Sequence, residues 1–148
     1  MNGFEVIPPA IFVTKEDVSL QICYANEAFY RLLGYRDRED FDLTNHASAV
    51  SAIYRPDLVK VLLALGQVKQ GAEHNFSADF RAVTRSHSQK WVHAEGSLMV
   101  NNNEERRIVF ALYDLERLER EQRRLQQMRN ANEMVERHLG GGAARIKF

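Results

Sequence analysis

From Asp114 to Leu139 the chain has no glycine, proline or aromatic residue, and Leu, Glu, Arg and Gln dominate it. Residues of this kind lose little side-chain freedom in a helix, so the stretch reads as one long helix. Gly140-Gly141-Gly142 then stops it and leaves a flexible joint. A helix this long needs something to cover its apolar stripe. With Leu118 at heptad position a, Leu125, Asn132 and Leu139 follow at a, while Glu121, Met128 and Val135 occupy d. This spacing favours a left-handed coiled coil. Asn132 at an a position suits a parallel dimer, in which paired asparagines hydrogen-bond across the axis. Glu121 at d weakens the first turn, and Arg124 at g would face Arg129 at e of a parallel partner. A solitary amphipathic helix folded back on its own domain is the alternative. Arg117, Arg120, Arg123 and Arg124 are interleaved with Glu116, Glu119 and Glu121, which reads as a solvated face rather than a nucleic-acid surface.

The chain ahead of this helix is mixed in character. At 148 residues and 45% hydrophobic, the whole is enough for one domain with a real core. Twenty basic side chains balance 20 acidic ones, so no global field favours nucleic acid or an anionic membrane. The single cysteine, Cys23, allows neither an internal disulfide nor a thiolate metal cage. The first ten residues lack a signal-peptide pattern, and no apolar run approaches the ~20 residues that span a bilayer. The expectation is a cytoplasmic protein without membrane insertion.

Ala10 to Thr14 and Leu20 to Ala25 read as two short strands around the turn-prone Lys15-Glu16-Asp17. Asn26 is a good helix N-cap, Phe29, Leu32 and Leu33 share a face, and Gly34 stops the helix. Arg36 to Ile53 is polar and ambiguous, with room for one or two helical turns. Pro56 and Asp57 open a clearer helix whose apolar face is Leu58, Val61, Leu62, Leu65 and Val68, with Gly71 as its stop. Three strands follow, over 76–84, 90–100 and 107–113, the second and third joined by Asn101-Asn102-Asn103. The last is apolar on both faces: Ile108, Phe110 and Leu112 on one, Val109, Ala111 and Tyr113 on the other. Such a strand is central, or has its outer face covered by a partner. Helices gathered between two groups of strands make this an α+β chain with one antiparallel sheet.

Several local sequences carry a resemblance. Ile22-Cys23-Tyr24-Ala25-Asn26-Glu27-Ala28-Phe29, Leu33-Gly34-Tyr35, Arg55-Pro56-Asp57, Phe80-Arg81-Ala82, Lys90-Trp91-Val92 and Tyr113-Asp114-Leu115-Glu116 occur in the order and spacing of the PAS domain family. Over Pro9 to Glu116 the chain resembles that family. It departs from the pattern at Ser86-His87-Ser88-Gln89, where an aspartate–glycine turn is usual, and at Glu116, where threonine or serine is usual. The resemblance implies a five-stranded antiparallel sheet with short helices on one face, enclosing a cavity, followed by the long helix. It divides the chain into an N-terminal extension (1–9), a sensory domain (10–115), a coiled-coil signalling helix (116–139) and a linker or tail (140–148). It also implies a role in a larger signalling protein, fused to an effector such as a histidine kinase or a cyclic-dinucleotide enzyme.

Residues able to carry chemistry are sparse. No serine lies in a nucleophile elbow, and no glycine-rich loop cradles phosphate, so an enzyme has no residues to support it. Cys23 falls in a strand and lacks the helix motif of the flavin-adduct photosensors, which removes cysteinyl-flavin photochemistry and leaves a noncovalent small ligand open. His46 is the one histidine placed where an axial haem ligand could stand, but no motif supports that role, and a satisfied or surface histidine is the better account of it. His74, His87 and His93 make no metal-ligand spacing. A ligand pocket, if open, should be lined by Phe29, Phe76, Phe80, Val92, Ala94, Leu98, Phe110 and Leu112, the alternative for each being ordinary core. Tyr24, Asn26 and Asn45 are the polar groups that could orient a ligand, although Asn26 also suffices as a plain helix cap. The dimer surface should combine Leu118, Leu125, Met128, Asn132, Val135 and Leu139 with Val109, Ala111 and Tyr113. The reading is a noncatalytic sensory and dimerisation module, with a ligand-free interaction domain as its alternative.

Overall fold

The computed structural model describes residues 9–69 and 75–139, except for the side chains of residues 69 and 139. Expectations placed on the N-terminal extension up to residue 8, on Gly71 and His74, on the Leu139 side chain and on residues 140–148 lie outside that range. Strands β1 (Ala10–Lys15) and β2 (Ile22–Ala25) come first, then helices α1 (Glu27–Leu33) and α2 (Arg38–Asn45). Two 3₁₀ turns, Val50–Ala52 and Arg55–Asp57, lead into α3 (Leu58–Lys69). The meander β3 (Asn75–Val83), β4 (Gln89–Val100) and β5 (Arg106–Asp114) follows, and α4 (Leu115–Leu139) leaves from its end.

All five strands form one antiparallel sheet in the order β2-β1-β5-β4-β3. The strand that is apolar on both faces, β5, takes the middle position. It pairs with β4 from Val92↔Asp114 to Val100↔Arg106 and with β1 from Ala10↔Leu112 to Lys15↔Arg107. Helices α1 to α3 cover one face, and the core fills the space between, with Phe12, Phe29, Val92, Ile108, Phe110 and Leu112 all buried.

Local chemistry explains the element ends. Asn26 Oδ1 accepts the Phe29 amide (3.1 Å), which caps α1, and also the Ile11 amide (2.9 Å). Its Nδ2 donates to the Pro9 carbonyl (2.9 Å), so one side chain ties α1 to β1. Gly34 ends α1 at φ +82, a left-handed conformation that glycine adopts without a Cβ penalty. The buried face of α1 is Phe29, Tyr30 and Leu33, with Leu32 only partly buried. Strand β2 is shorter than its apolar run, because Leu20 turns at φ +51 and Gln21 makes only an isolated bridge to Ser48. Helix α3 buries Val61, Leu65 and Val68 as the spacing requires, whereas Leu62 stays 42% exposed. The ambiguous polar stretch yields α2, capped by Asp37 through the Asp40 amide (2.9 Å) and anchored by the wholly buried Phe41.

The chain divides into two compact units at Leu115/Glu116, and α4 belongs almost wholly to the second. Along it, Leu118 is partly buried while Leu125, Met128, Asn132 and Val135 are exposed. Arg117 and Glu121 stand 3.8 Å apart, and Gln126 donates to Asn130 (2.9 Å). Among the described residues no helix is long and apolar enough to cross a membrane.

Phe41 packs edge-on against Phe29, Tyr30 and Tyr35, at centroid distances of 5.4, 6.0 and 5.0 Å. Replacing it with alanine should cost about 3–5 kcal/mol, read as a lower denaturant midpoint at unchanged slope.

Candidate functional site

Phe29 from α1, Phe76 and Phe80 from β3, Ala94 from β4 and Phe110 and Leu112 from β5 converge on one interior space. Phe12, Leu20, Leu33, Ala49, Ala52, Ile53, Val61, Leu65 and Ala82 complete its lining. Two of the pocket residues expected from sequence stand apart from it. Val92 is buried in the core and Leu98 packs partly buried against it, but neither lines the space. The cavity measures about 30 Å³ and every lining side chain is apolar. That is roughly the share of one liquid water molecule, with no hydrogen-bond partner for it, and far below the ~300 Å³ of ordinary ligand pockets. A flavin or a haem would enter only if the lining rings moved apart.

The space is narrow because rings fill it. Phe12 stacks on Phe110 (4.7 Å, 14°) and tilts against Phe29 (4.8 Å), and Phe76 meets Phe110 edge-on (5.6 Å, 85°). Gly96, opposite Phe110 in the β4–β5 ladder, makes the room: a Cβ there would lie 2.8 Å from Phe110 Cδ1. Thr14 is fully buried on the inward face of β1, and its Oγ1 has no hydrogen-bond partner.

None of the polar groups expected to orient a ligand reaches this space. Asn26 is occupied as the α1 cap. The Asn45 Nδ2 donates to the Tyr35 hydroxyl (2.8 Å) and its Oδ1 accepts from Ser51 (3.0 Å), which fastens α2 to the following turn. Tyr24 lies on the other side of the sheet and is 56% exposed. His46 closes α2 in the left-handed region at φ +53 with its side chain exposed, as for a surface histidine. Among the described residues no group of His, Cys, Asp and Glu could hold a metal ion.

Sequence reasoning missed the polar fastenings around the core. Asp57, at the foot of α3, takes the Arg81 amide (2.8 Å), Nε (3.0 Å) and Nη2 (2.7 Å), a forked grip on β3. Tyr54 and Trp91 stack on the Arg81 guanidinium at 4.4 and 5.2 Å. The hydrogen bonds from Arg81 outweigh burial and hold the Asp57 carboxyl at about 2. The sign of the pairing, Asp after Pro56 and Arg in mid-strand, was visible; that they meet was not. Lys90 Nζ donates to the Leu32 carbonyl at the end of α1 (3.2 Å) and lies 3.7 Å from Asp114 Oδ2 at the end of β5.

The outer face of the sheet carries a second feature. Val109, Ala111 and Tyr113 of β5 point there, and Ile11 and Val13 of β1 stand opposite Ala111 and Val109. All five are partly buried. Beside them on β4 and β3, His93 lies between Asp79 and Glu95.

The model of the PAS fold family matches residues 22–111. The chain belongs to this family. As a PAS domain it is similar to a sensory box histidine kinase/response regulator from Burkholderia thailandensis at 21% identity, over 84% of this chain and 90% of that one, with a TM-score of 0.56. It is also similar to the N-terminal domain of a diguanylate cyclase with PAS/PAC sensor from Marinobacter aquaeolei (15%, 73% and 95%, TM-score 0.56). A third likeness is to the Drosophila melanogaster Cycle PAS-B domain with bound ethylene glycol (13%, 70% and 96%, TM-score 0.58). No curated protein matches. These likenesses show the PAS fold that the order of elements pointed to.

Two outcomes follow for this PAS domain. Gly96→Ala should destabilise it by about 1–3 kcal/mol in denaturant unfolding, because Phe110 is held by Phe12 and Phe76 and has nowhere to retreat. Asp57→Asn should lower the melting temperature by roughly 5 °C at neutral pH. Because the Asp57 pKa is depressed from 3.8 to about 2, its contribution is complete above 3.8 and is lost as pH falls towards 2. The gap between wild type and variant in thermal scans should close over that interval.

Proposed function

We propose that this PAS domain is a noncatalytic sensory and dimerisation module of a larger cytoplasmic signalling protein, relaying changes in packing or occupancy through α4 to an effector. The observation that carries this reading is the continuity of β5 with α4. The outward row Val109, Ala111 and Tyr113 runs without a break of chain into a helix whose Leu118, Leu125, Met128, Asn132 and Val135 recur at heptad spacing and are mostly exposed. A homodimer would cover both rows. The histidine kinase and diguanylate cyclase relatives support an effector of one of those two kinds. Residues 10–115 would be the sensor, 116–139 the signalling helix and 140–148 the link onward.

Light scattering at micromolar concentration tests the dimer. The full chain should be dimeric, and a chain ending at Glu116 should associate more weakly. Ala111→Glu and Leu125→Glu should each shift the full chain towards monomer, since each buries an unpaired carboxylate. A monomeric wild-type chain sinks the reading.

The narrow, apolar interior favours a second reading, a ligand-free domain in which packing alone carries the signal. Denaturing mass spectrometry of protein purified from cells able to supply haem and flavin separates the two. A stoichiometric small molecule supports the sensing pocket, and none at all supports the packed domain.

A further inference from the structure

We infer that His93 is a proton-operated latch on the outer sheet face: as an imidazolium it holds Asp79 and Glu95, and on losing its proton it releases Glu95 and weakens self-association through that face. The inference rests on the reading of this face as the dimer surface.

The geometry itself requires the charged ring. His93 Nδ1 lies 2.6 Å from Asp79 Oδ1, and His93 Nε2 lies 3.1 Å from Glu95 Oε1. Ionised carboxylates only accept hydrogen bonds, and a neutral imidazole has a single N–H. Both contacts therefore exist together only when both ring nitrogens carry protons. Asp79 faces His93 from β3 as its ladder partner, Glu95 follows it by two residues on β4, and Tyr113 faces it from β5 with its ring centroid 6.1 Å away. The next cation along that face of β3, Arg81, is gripped by Asp57 and does not reach the group. The hydrogen bond to Asp79, more than that to Glu95, raises the His93 pKa above 6.5, with burial opposing. A raised pKa means the latch is complete below 6.5 and is lost as pH rises through the higher folded value.

Loss of the proton leaves one N–H for two carboxylates. The shorter contact keeps it, so Nδ1 stays bonded to Asp79 while Nε2 turns a lone pair towards Glu95. Glu95, whose side chain is 60% exposed, is then free to leave, and the group passes from one net negative charge to two. Glu95 is the ladder partner of Ala111, in the middle of the apolar row. Each copy in a dimer would bring the same new unpaired carboxylate to the interface, which is repulsive between copies and costly to desolvate.

The test is sedimentation equilibrium of the full chain between pH 5.5 and 8.5, with His93→Gln and Glu95→Gln alongside. In wild type the dimer Kd should rise about tenfold across this range, which corresponds to a difference of about half a unit in the pKa of each of the two His93 residues between monomer and dimer. His93→Gln removes the titrating group and Glu95→Gln removes the released charge, so both should give a nearly flat Kd. A dimer whose Kd does not change with pH, or a His93→Gln variant that keeps the wild-type dependence, overturns the latch alone. A chain that is monomeric at every pH overturns the outer-face reading and the latch with it.

Discussion

The rest of the fold depends on a strand that is apolar on both sides. β5 has to be covered twice, and the chain solves the two faces differently. Inward, Ile108, Phe110 and Leu112 meet the rings of Phe12 and Phe76 and the helices beyond. Laterally, β5 is flanked by β1 and β4 over nearly its whole length, which satisfies its backbone and places it at the centre of the sheet. Outward, Val109, Ala111 and Tyr113 are covered only partly, by neighbouring side chains. The helices are then set by what the inner face needs, and the outer face is what remains for a partner to cover.

The capped and periodic elements were legible from residues alone. Asn26 and Gly34 bracket α1, Pro56 and Asp57 introduce α3, and the alternation of β3 and β4 matches their inward faces. What was not legible depended on distant partners. α2 has one apolar anchor, Phe41, and its other large apolar residue, Leu43, is 76% exposed, so no periodicity announces it. Leu20 looks like strand by composition, yet its left-handed backbone takes it out of the ladder, and its neighbour Gln21 makes only a bridge to Ser48. The site followed the same division. Side chains at period two along the strands fell on the interior, while the helical and loop residues lining it (Leu33, Ala52 and Leu65 among them) were brought there by packing. The Asp57–Arg81 grip joins residues far apart in sequence, and no local pattern marks it.

A narrow interior and a half-covered exterior place different demands on a sensor. The interior aromatics already contact one another, so a ligand would have to displace rings that stabilise the core. The exterior has no such cost, because its side chains are oriented outward and the His93 ring already stands between the carboxylates of Asp79 and Glu95. On physical grounds, the surface is easier to switch than the core.

The β1–β5 pairing has a consequence for how such a unit sits in a longer chain. Because Ala10 is the ladder partner of Leu112, the polypeptide comes into the domain and goes out of it at one spot. The first residue of β1 and the last turn of the ladder in β5 lie side by side there, as the two ends of a looped thread meet at its knot. A domain tied in this way can be spliced into a protein without pushing apart the segments on either side, and anything that strains the loop is felt by both flanks at once.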